Sequence, residues 1–131
     1  MEDLYREHIL DHYENPRFHG ELPEADFVHE EDNPLCGDRI RIAVKLSPDK
    51  TRIAGAAFSG DGCIISQAAT SMLLEDVVNR PVSEVENLAP QHVLGLVGVP
   101  LTANRVKCAL LGLKVLKTGL KRWRLEQSHP E

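Results

Sequence analysis

A switch from strand-like to helix-like hydrophobic spacing near the middle of the chain constrains the fold more than any other feature. Over residues 39–46, apolar side chains alternate with mostly polar ones, which is typical of a strand with one buried face. Residues 47–50 favour a turn and residues 52–59 indicate a returning strand, so the two strands form an antiparallel hairpin. Beyond the break at residues 60–62, the apolar spacing is helical through to residue 79.

The region before this hairpin contains one further helix and one further strand. Residues 2–13 carry apolar side chains at helical spacing, and Asn15-Pro16 ends that pattern. Residues 27–29 indicate a short strand.

The region after residue 80 is predicted to be helical. Ser83 and Glu86 have the spacing of a capping box for a short helix, and residues 91–98 indicate another helix. Asn104 is the predicted N-cap of a long last helix. The order of elements predicts an α+β fold, in which helices pack on one face of a small antiparallel sheet.

The composition fits a single folded domain and argues against several kinds of partner. Of the 131 residues, 42% are hydrophobic and 27% charged, so we expect one domain over residues 1–131, with residues 126–131 as a frayed tail. The net charge of −5 argues against nucleic acid as a partner. The N-terminus lacks the pattern of a signal peptide, and prolines interrupt the uncharged run 87–104. We therefore expect a cytoplasmic protein without a membrane span.

Charge is unevenly distributed along the chain. Residues 1–38 contain 12 acidic and 2 basic side chains, whereas residues 103–124 contain 7 basic and no acidic ones. Two interpretations of the basic segment remain open: a solvated helix face, or a docking strip for an acidic partner protein.

The three cysteines each lie where a loop meets a helix or strand. Cys36 occupies a tight turn two residues before Asp38, and Cys63 opens the predicted helix after residue 62. Cys108 follows Lys107 near the start of the last helix and lies off its main apolar stripe. A helix N-terminus and cationic neighbours favour the thiolate form of cysteine. An odd number of cysteines argues against a disulfide framework.

Three thiols and one carboxylate make a four-ligand set suited to zinc or to iron–sulfur chemistry. The spacings along the chain are long, so the fold must bring these ligands together. Each cysteine also has a purely structural interpretation, such as a small buried side chain beside Ile64 for Cys63. His8 and His12 are four residues apart, which allows a metal pair but favours a partly buried helix face.

Motifs between residues 5 and 111 occur in the order seen in a known family. They are Tyr5-Arg6, Leu10-Asp11-His12-Tyr13, Asn15-Pro16-Arg17, Gly20, Asn33-Pro34-x-Cys36-Gly37-Asp38, Gly60-x-Gly62-Cys63-x-Ile65-Ser66 and Arg105-x-Lys107-Cys108-Ala109-x-Leu111. Together they closely resemble the U-type iron–sulfur cluster assembly scaffold family, which comprises IscU, SufU and the N-terminal domain of NifU.

The resemblance implies an α+β domain with a three-stranded antiparallel sheet and helices on one side. It implies that Cys36, Asp38, Cys63 and Cys108 match the family's metal and cluster ligands, holding a transient [2Fe-2S] cluster or zinc. It also implies two kinds of protein partner: a cysteine desulfurase that delivers sulfur as persulfide, and apo iron–sulfur recipient proteins. Such a protein is a scaffold or sulfur carrier rather than an enzyme.

Two branches of the family suggest two functions. In the first, the protein assembles a [2Fe-2S] cluster and transfers it to apo-proteins. In the second, as in SufU, bound zinc organises the site and Cys108 accepts persulfide sulfur with the support of Lys107. Lys107 stands where IscU proteins have a histidine, and residues 101–105 do not match the IscU chaperone motif, so an Hsp70-type chaperone partner has little support. The chain also lacks an extra segment that SufU proteins usually carry between the second and third cysteines. Two other functions, a Cys–His hydrolase and a purely structural zinc domain, rank below the scaffold and the sulfur acceptor.

Overall fold

The structure, a computed structural model, describes residues 2–34 and 37–127, with side chains from Arg6 onward within those ranges. Over these residues the chain forms the following elements: α1 (Glu2–Glu14), β1 (Phe27–Asn33), β2 (Asp38–Leu46), β3 (Ile53–Asp61), α2 (Ile64–Val77), α3 (Val82–Glu86), α4 (Pro90–Val97) and α5 (Ala103–Gln127). The predicted α+β fold is confirmed. The residues beyond 127 lie outside the described part, so fraying of the tail stays a prediction.

The three strands form one antiparallel sheet in the order β1-β2-β3. Along the central strand, Ile40, Ile42 and Val44 are fully buried, whereas Arg39 and Arg41 are exposed, as the alternation predicts. The buried side chains join those of α2 and α5 in one aliphatic core. The strand predicted over residues 27–29 is confirmed and is longer than expected, because it pairs with β2 along its full length.

Helices α2 and α5 approach each other closely through a glycine. A Cβ atom at Gly112 would lie 2.5 Å from the Thr70 hydroxyl oxygen, a distance that real Cβ contacts do not reach. The Thr70 hydroxyl donates a hydrogen bond to the carbonyl oxygen of Ser66 in the same helix, 2.8 Å away. This close contact joins the middle of α2 to the third turn of α5.

Helix α1 is attached to α2 through a buried histidine. His12 is 1% exposed, and its Nδ1 lies 2.8 Å from the Ser71 hydroxyl. Ser71 accepts a hydrogen bond from the backbone amide of Arg17, so its own proton is available for His12 Nδ1. Burial lowers the pKa of His12, and the nearby Arg17 and His8 lower it further. The buried-face interpretation of this histidine is therefore confirmed, since Nδ1 is already engaged.

The predicted capping box for the helix after residue 80 is wrong. The N-cap of α3 is Pro81, no side chain caps the helix, and Ser83 already lies inside it. At the start of the helix, the Val82 amide donates to the carbonyl oxygen of Thr51, 2.8 Å away, in the turn before β3.

Two further helix ends differ from the prediction. Helix α5 begins at Ala103, and the side chain that meets its first free amides is Thr102, whose hydroxyl lies 3.4 Å from the Arg105 nitrogen; Asn104 lies within the helix. Helix α2 ends at Val77 rather than at Asn79, because its C-cap Val78 is already extended, with ψ 132°, and Asn79 then has a positive φ of 77°.

Candidate metal centre

Asp38 reaches the interior because of its position in β2. It is the first residue of that strand and lies on the same face as Ile40 and Ile42, so its carboxylate is directed toward the helices. It is 1% exposed. A carboxylate buried to this degree requires hydrogen-bond donors or a cation as partners.

Cys63 is positioned beside Asp38 by the turn from β3 into α2. Asp61, the last residue of β3, pairs with Arg39, so the chain that follows passes next to Asp38. The Cys63 amide donates to Asp38 Oδ1 at 2.7 Å, and the Cys63 sulfur lies 3.8 Å from Oδ2. One oxygen of the carboxylate is thus held by the backbone, while the other faces a thiol.

Cys63 is also the N-cap of α2. Its backbone is extended, with φ −73° and ψ 161°, and its sulfur accepts a hydrogen bond of 3.5 Å from the amide of Ser66. Amide donors and the positive end of a helix dipole favour negative charge on sulfur. The contact of Ser66 with Cys63 was not predicted, although a spacing of three residues is usual between an N-cap and the amide it caps.

Gly62 allows Asp38 and Cys63 to come this close. Its φ is +134°, and a Cβ atom there would overlap Asp38 Oδ1 and lie 2.8 Å from Asp38 Cα. Any other residue would therefore displace the carboxylate or strain the turn.

Cys108 contributes the third donor from α5. We expected it to lie off the apolar stripe of this helix, and that expectation is wrong, because Cys108 is 3% exposed and belongs to the core. The buried face of α5 is wider than a single stripe, since it contacts both α2 and the sheet. Cys63 is only partly buried and is the more accessible of these two thiols.

The fold brings together three of the four predicted ligands. Ligand atoms of Asp38, Cys63 and Cys108 all lie within 4.8 Å of one another. In a tetrahedral zinc site, metal–ligand distances of about 2.0–2.3 Å place neighbouring donors about 3.3–3.8 Å apart. The donors therefore fit a metal after a contraction of at most about 1 Å, and two sulfurs with one oxygen suit zinc or iron–sulfur chemistry. Cys36 lies outside the described residues.

Lys107 lines a cavity that Asp38, Cys63 and Cys108 do not line. It is exposed and lines a cavity of about 290 Å³ together with Pro34 and Lys114. Part of the basic segment on α5 is engaged within the chain: Lys114 pairs with Glu31 at 3.2 Å and Arg124 with Glu86 at 2.7 Å.

Comparison with known proteins identifies the family. A family model described as the NifU-like N terminal domain matches residues 4–129. The chain belongs to this family. No helix in the described part of this NifU-like domain has a stretch long and apolar enough to cross a membrane.

Relatives of this NifU-like domain carry names from two branches of the family. It is 33% identical to the zinc-dependent sulfurtransferase SufU of Bacillus subtilis, covering 92% of this chain and 91% of that protein. It is also 33% identical to the iron–sulfur cluster assembly scaffold protein IscU of Aquifex aeolicus, covering 97% and 80%. The fold matches the N-terminal NifU-like structure from Brucella abortus with a TM-score of 0.74 at 19% identity, covering 98% of each chain.

Alignment length separates the two relatives. The alignment with SufU has 137 positions, more than the 131 residues of this chain, so SufU carries residues that this chain lacks. The alignment with IscU has 127 positions and covers 97% of the chain. The chain therefore aligns with that IscU without inserted residues opposite it, whereas the alignment with the IscU of Streptococcus pyogenes, 34% identical, has 139 positions.

Proposed function

We propose that this protein is an iron–sulfur cluster assembly scaffold that builds a [2Fe-2S] cluster on Cys36, Asp38, Cys63 and Cys108 and then transfers it to apo-proteins. The observation that carries the proposal is the convergence of Asp38, Cys63 and Cys108 from β2, the start of α2 and α5. Membership of the NifU-like family and the similarity to IscU support it.

The chemistry of the donors suits both capture and release. Thiolates hold iron–sulfur centres firmly, whereas a carboxylate oxygen is a harder and weaker ligand for them. We therefore expect the bond between Asp38 and the cluster to break first when the cluster is released. Because Asp38 Oδ1 is held by the Cys63 amide, Oδ2 is the oxygen we assign to the cluster.

Sulfur enters from a cysteine desulfurase as persulfide. The Cys108 thiolate attacks the terminal sulfur of the donor's persulfide, so that an S–S bond forms on Cys108. The S–S bond of the donor breaks, and its cysteine leaves as a thiolate that takes up a proton. Cys63 competes for this role because it is more accessible. The reaction needs thiols in reduced form, which supports a cytoplasmic location.

A second candidate function is a zinc-bound sulfur acceptor. The similarity to the zinc-dependent SufU and the presence of Lys107 before Cys108 favour it. Zinc would be held by the same four residues and would keep their sulfurs as thiolates.

Lys107 supports sulfur transfer in both candidates, and a protonated lysine has no lone pair to donate to a metal. Its charge attracts the incoming persulfide to the neighbourhood of Cys108. We expect Lys107→Ala to keep its metal and to form persulfide several-fold more slowly with a cognate desulfurase, while Lys107→Arg retains most of the rate. Loss of metal in Lys107→Ala, or persulfide formation at the parent rate, would contradict this role.

Metal and acid-labile sulfide analysis of the protein purified without oxygen tests the proposed function. Iron and sulfide in equal amounts, after incubation with ferrous iron, cysteine, a desulfurase and a thiol reductant, support the scaffold. Zinc without sulfide, together with persulfide on a cysteine of this chain, supports the acceptor. Failure to retain iron, sulfide or zinc would reject both.

A further inference from the structure

Helices α2 and α5 make their close contact near the two described ligand cysteines. Thr70 in α2 meets Gly112 in α5. Cys108 precedes Gly112 by four residues, so both lie on one face of α5. Ser66 precedes Thr70 by four residues, and its amide donates to the Cys63 sulfur. Both sulfurs therefore lie within about two helical turns of this contact.

The contact leaves no room for a larger side chain at Gly112. A Cβ atom there would lie 2.5 Å from Thr70 Oγ1, 3.2 Å from its Cβ and 3.3 Å from its Cγ2, whereas ordinary Cβ contacts are 3.4–4 Å. Thr70 is fully buried, and its hydroxyl is held in place by the hydrogen bond to the Ser66 carbonyl oxygen. A methyl group at position 112 therefore requires the two helices to move apart by up to about 1 Å.

Helix α5 is anchored to the sheet two turns beyond Gly112. A Cβ atom at Gly119 would lie 2.7 Å from Phe27 Cε1 and 3.0 Å from His29 Cβ, so α5 packs closely on β1 there. With this part of α5 held, extra volume at Gly112 tilts the first half of the helix away from α2. Cys108 is 11 residues from Gly119 and Gly112 is seven, so Cys108 moves roughly 1.6 times as far as position 112.

A metal centre tolerates much less displacement than this. Metal–ligand distances are held within about 0.2 Å, and the side chains of a working site within about 0.5 Å. The ligand atoms of Asp38, Cys63 and Cys108 lie within 4.8 Å of one another and must contract to share a metal. A shift of Cys108 by about 1 Å in the opposite direction therefore removes one sulfur from the shared position.

We propose that Thr70 and Gly112 are positioning residues of the metal centre, whose matched sizes hold α2 and α5 at the distance at which Cys63 and Cys108 share one metal ion. The inference rests on the proposed function, because it takes both sulfurs as ligands. Gly112 has no side chain to offer, and the Thr70 hydroxyl is bonded within its own helix, so both residues act through the helices that carry the ligands. Enlarging one residue is compensated by reducing the other.

Zinc affinity, measured in competition with a chromophoric chelator, tests the pair. Gly112→Ala should raise the Kd for zinc at least tenfold. The double variant Thr70→Ala, Gly112→Ala lacks the hydroxyl and methyl groups that meet the added methyl, so its Kd should return to within threefold of the parent. Gly119→Ala is the matched control, because it makes the same substitution in the same helix but overpacks α5 on β1. It should lower the urea midpoint and change the Kd less than threefold.

A second measurement reports the proximity of the two sulfurs without any metal. In a Cys36→Ser background, the azo compound diamide is reduced to its hydrazine while the thiols of Cys63 and Cys108 lose two hydrogens and form an S–S bond. A disulfide requires Cβ atoms about 3.5–4.5 Å apart. Gly112→Ala should therefore slow disulfide formation at least fivefold, and the added Thr70→Ala should restore the rate.

The outcomes separate this inference from the proposed function. Parent-like zinc affinity and disulfide rate in Gly112→Ala would overturn the positioning role. An equal loss of zinc affinity in Gly119→Ala, or a double variant that is not rescued, would also overturn it. So would loss of the folded circular dichroism spectrum in Gly112→Ala, because the contact would then stabilise the whole fold. A parent protein that binds neither zinc nor a cluster would reject the proposed function itself, while the disulfide rates would still test the spacing of the helices.

Discussion

At the scale of single residues, the geometry of the centre depends on the absence of a side chain at Gly62. The positive φ of Gly62 and the overlap that a Cβ would make with Asp38 both exclude other residues from this turn. The glycine therefore has a structural role in placing the ligand pair.

We expect Gly62→Ala to lose most of its metal while keeping its fold. The strain at this φ costs about 1–3 kcal/mol, and the added methyl displaces the Asp38 carboxylate from Cys63. Zinc titration should give an affinity at least tenfold weaker than that of the parent. Gly95→Ala is the matched control, because Gly95 lies within α4 with open space at its Cβ position, and it should bind zinc like the parent. Parent-like zinc affinity in Gly62→Ala would contradict the assigned role.

The two oxygens of Asp38 have different roles that two substitutions can separate. Asp38→Ala and Asp38→Asn both remove the charged oxygen ligand, so both should slow cluster transfer to apo-ferredoxin in stopped-flow measurements. Only Asp38→Ala leaves the Cys63 amide without its acceptor, which costs about 1–3 kcal/mol of unfolding free energy in the metal-free protein. Unchanged transfer rates in both variants would restrict Asp38 to a structural role in the turn.

At the scale of elements, the packing of α1 on α2 depends on a neutral histidine. Ser71 and Arg17 fix His12 Nδ1 as an acceptor, and burial opposes a second proton on the ring. The folded pKa of His12 is therefore lowered from its ordinary value of 6.5.

This lowered pKa makes the docking of α1 pH-dependent. A group whose pKa is lowered by folding contributes its full stability above the unfolded pKa of 6.5 and loses it as pH falls toward the folded pKa. Between pH 7.5 and pH 5.5, the unfolding free energy of the metal-free protein should fall by at most about 1.4 kcal/mol per pH unit for this one proton, and the urea midpoint should fall with it. His12→Asn keeps an acceptor for Ser71 but does not titrate, so its midpoint should change less. Equal pH dependence in both proteins would contradict this explanation.

The elements themselves were largely predictable, and their ends were not. The alternation around Ile40 and Ile42 determines both the strand and its buried face, because that period fits only one local structure. The cap at Ser83 was predicted wrongly because the contact at the start of that helix comes from the Thr51 carbonyl, which is distant in sequence, so local sequence carries no information about it. The cap at Asn104 missed by two residues, because Thr102 has the local spacing of three residues to the Arg105 amide, and helix ends are uncertain by one or two residues.

At the scale of the whole molecule, the candidate centre arises from tertiary packing. Asp38, Cys63 and Cys108 are far apart in sequence, and their convergence depends on sheet register and on the close contact of α2 with α5 at Gly112. The spacing of these residues in the sequence therefore could not predict that their side chains lie close together. Resemblance to the U-type family supplied the set, and the family match confirms that recognition.

X-ray absorption at the zinc edge of the zinc-loaded protein tests the central claim most directly, because it counts the sulfur atoms bound to the metal. The parent should give zinc–sulfur distances of about 2.3 Å and one oxygen at about 2.0 Å. Cys63→Ser and Cys108→Ser should each lower the sulfur count by one, and Asp38→Ala should leave it unchanged. A shell without sulfur, or a sulfur count that neither cysteine substitution lowers, would contradict the account.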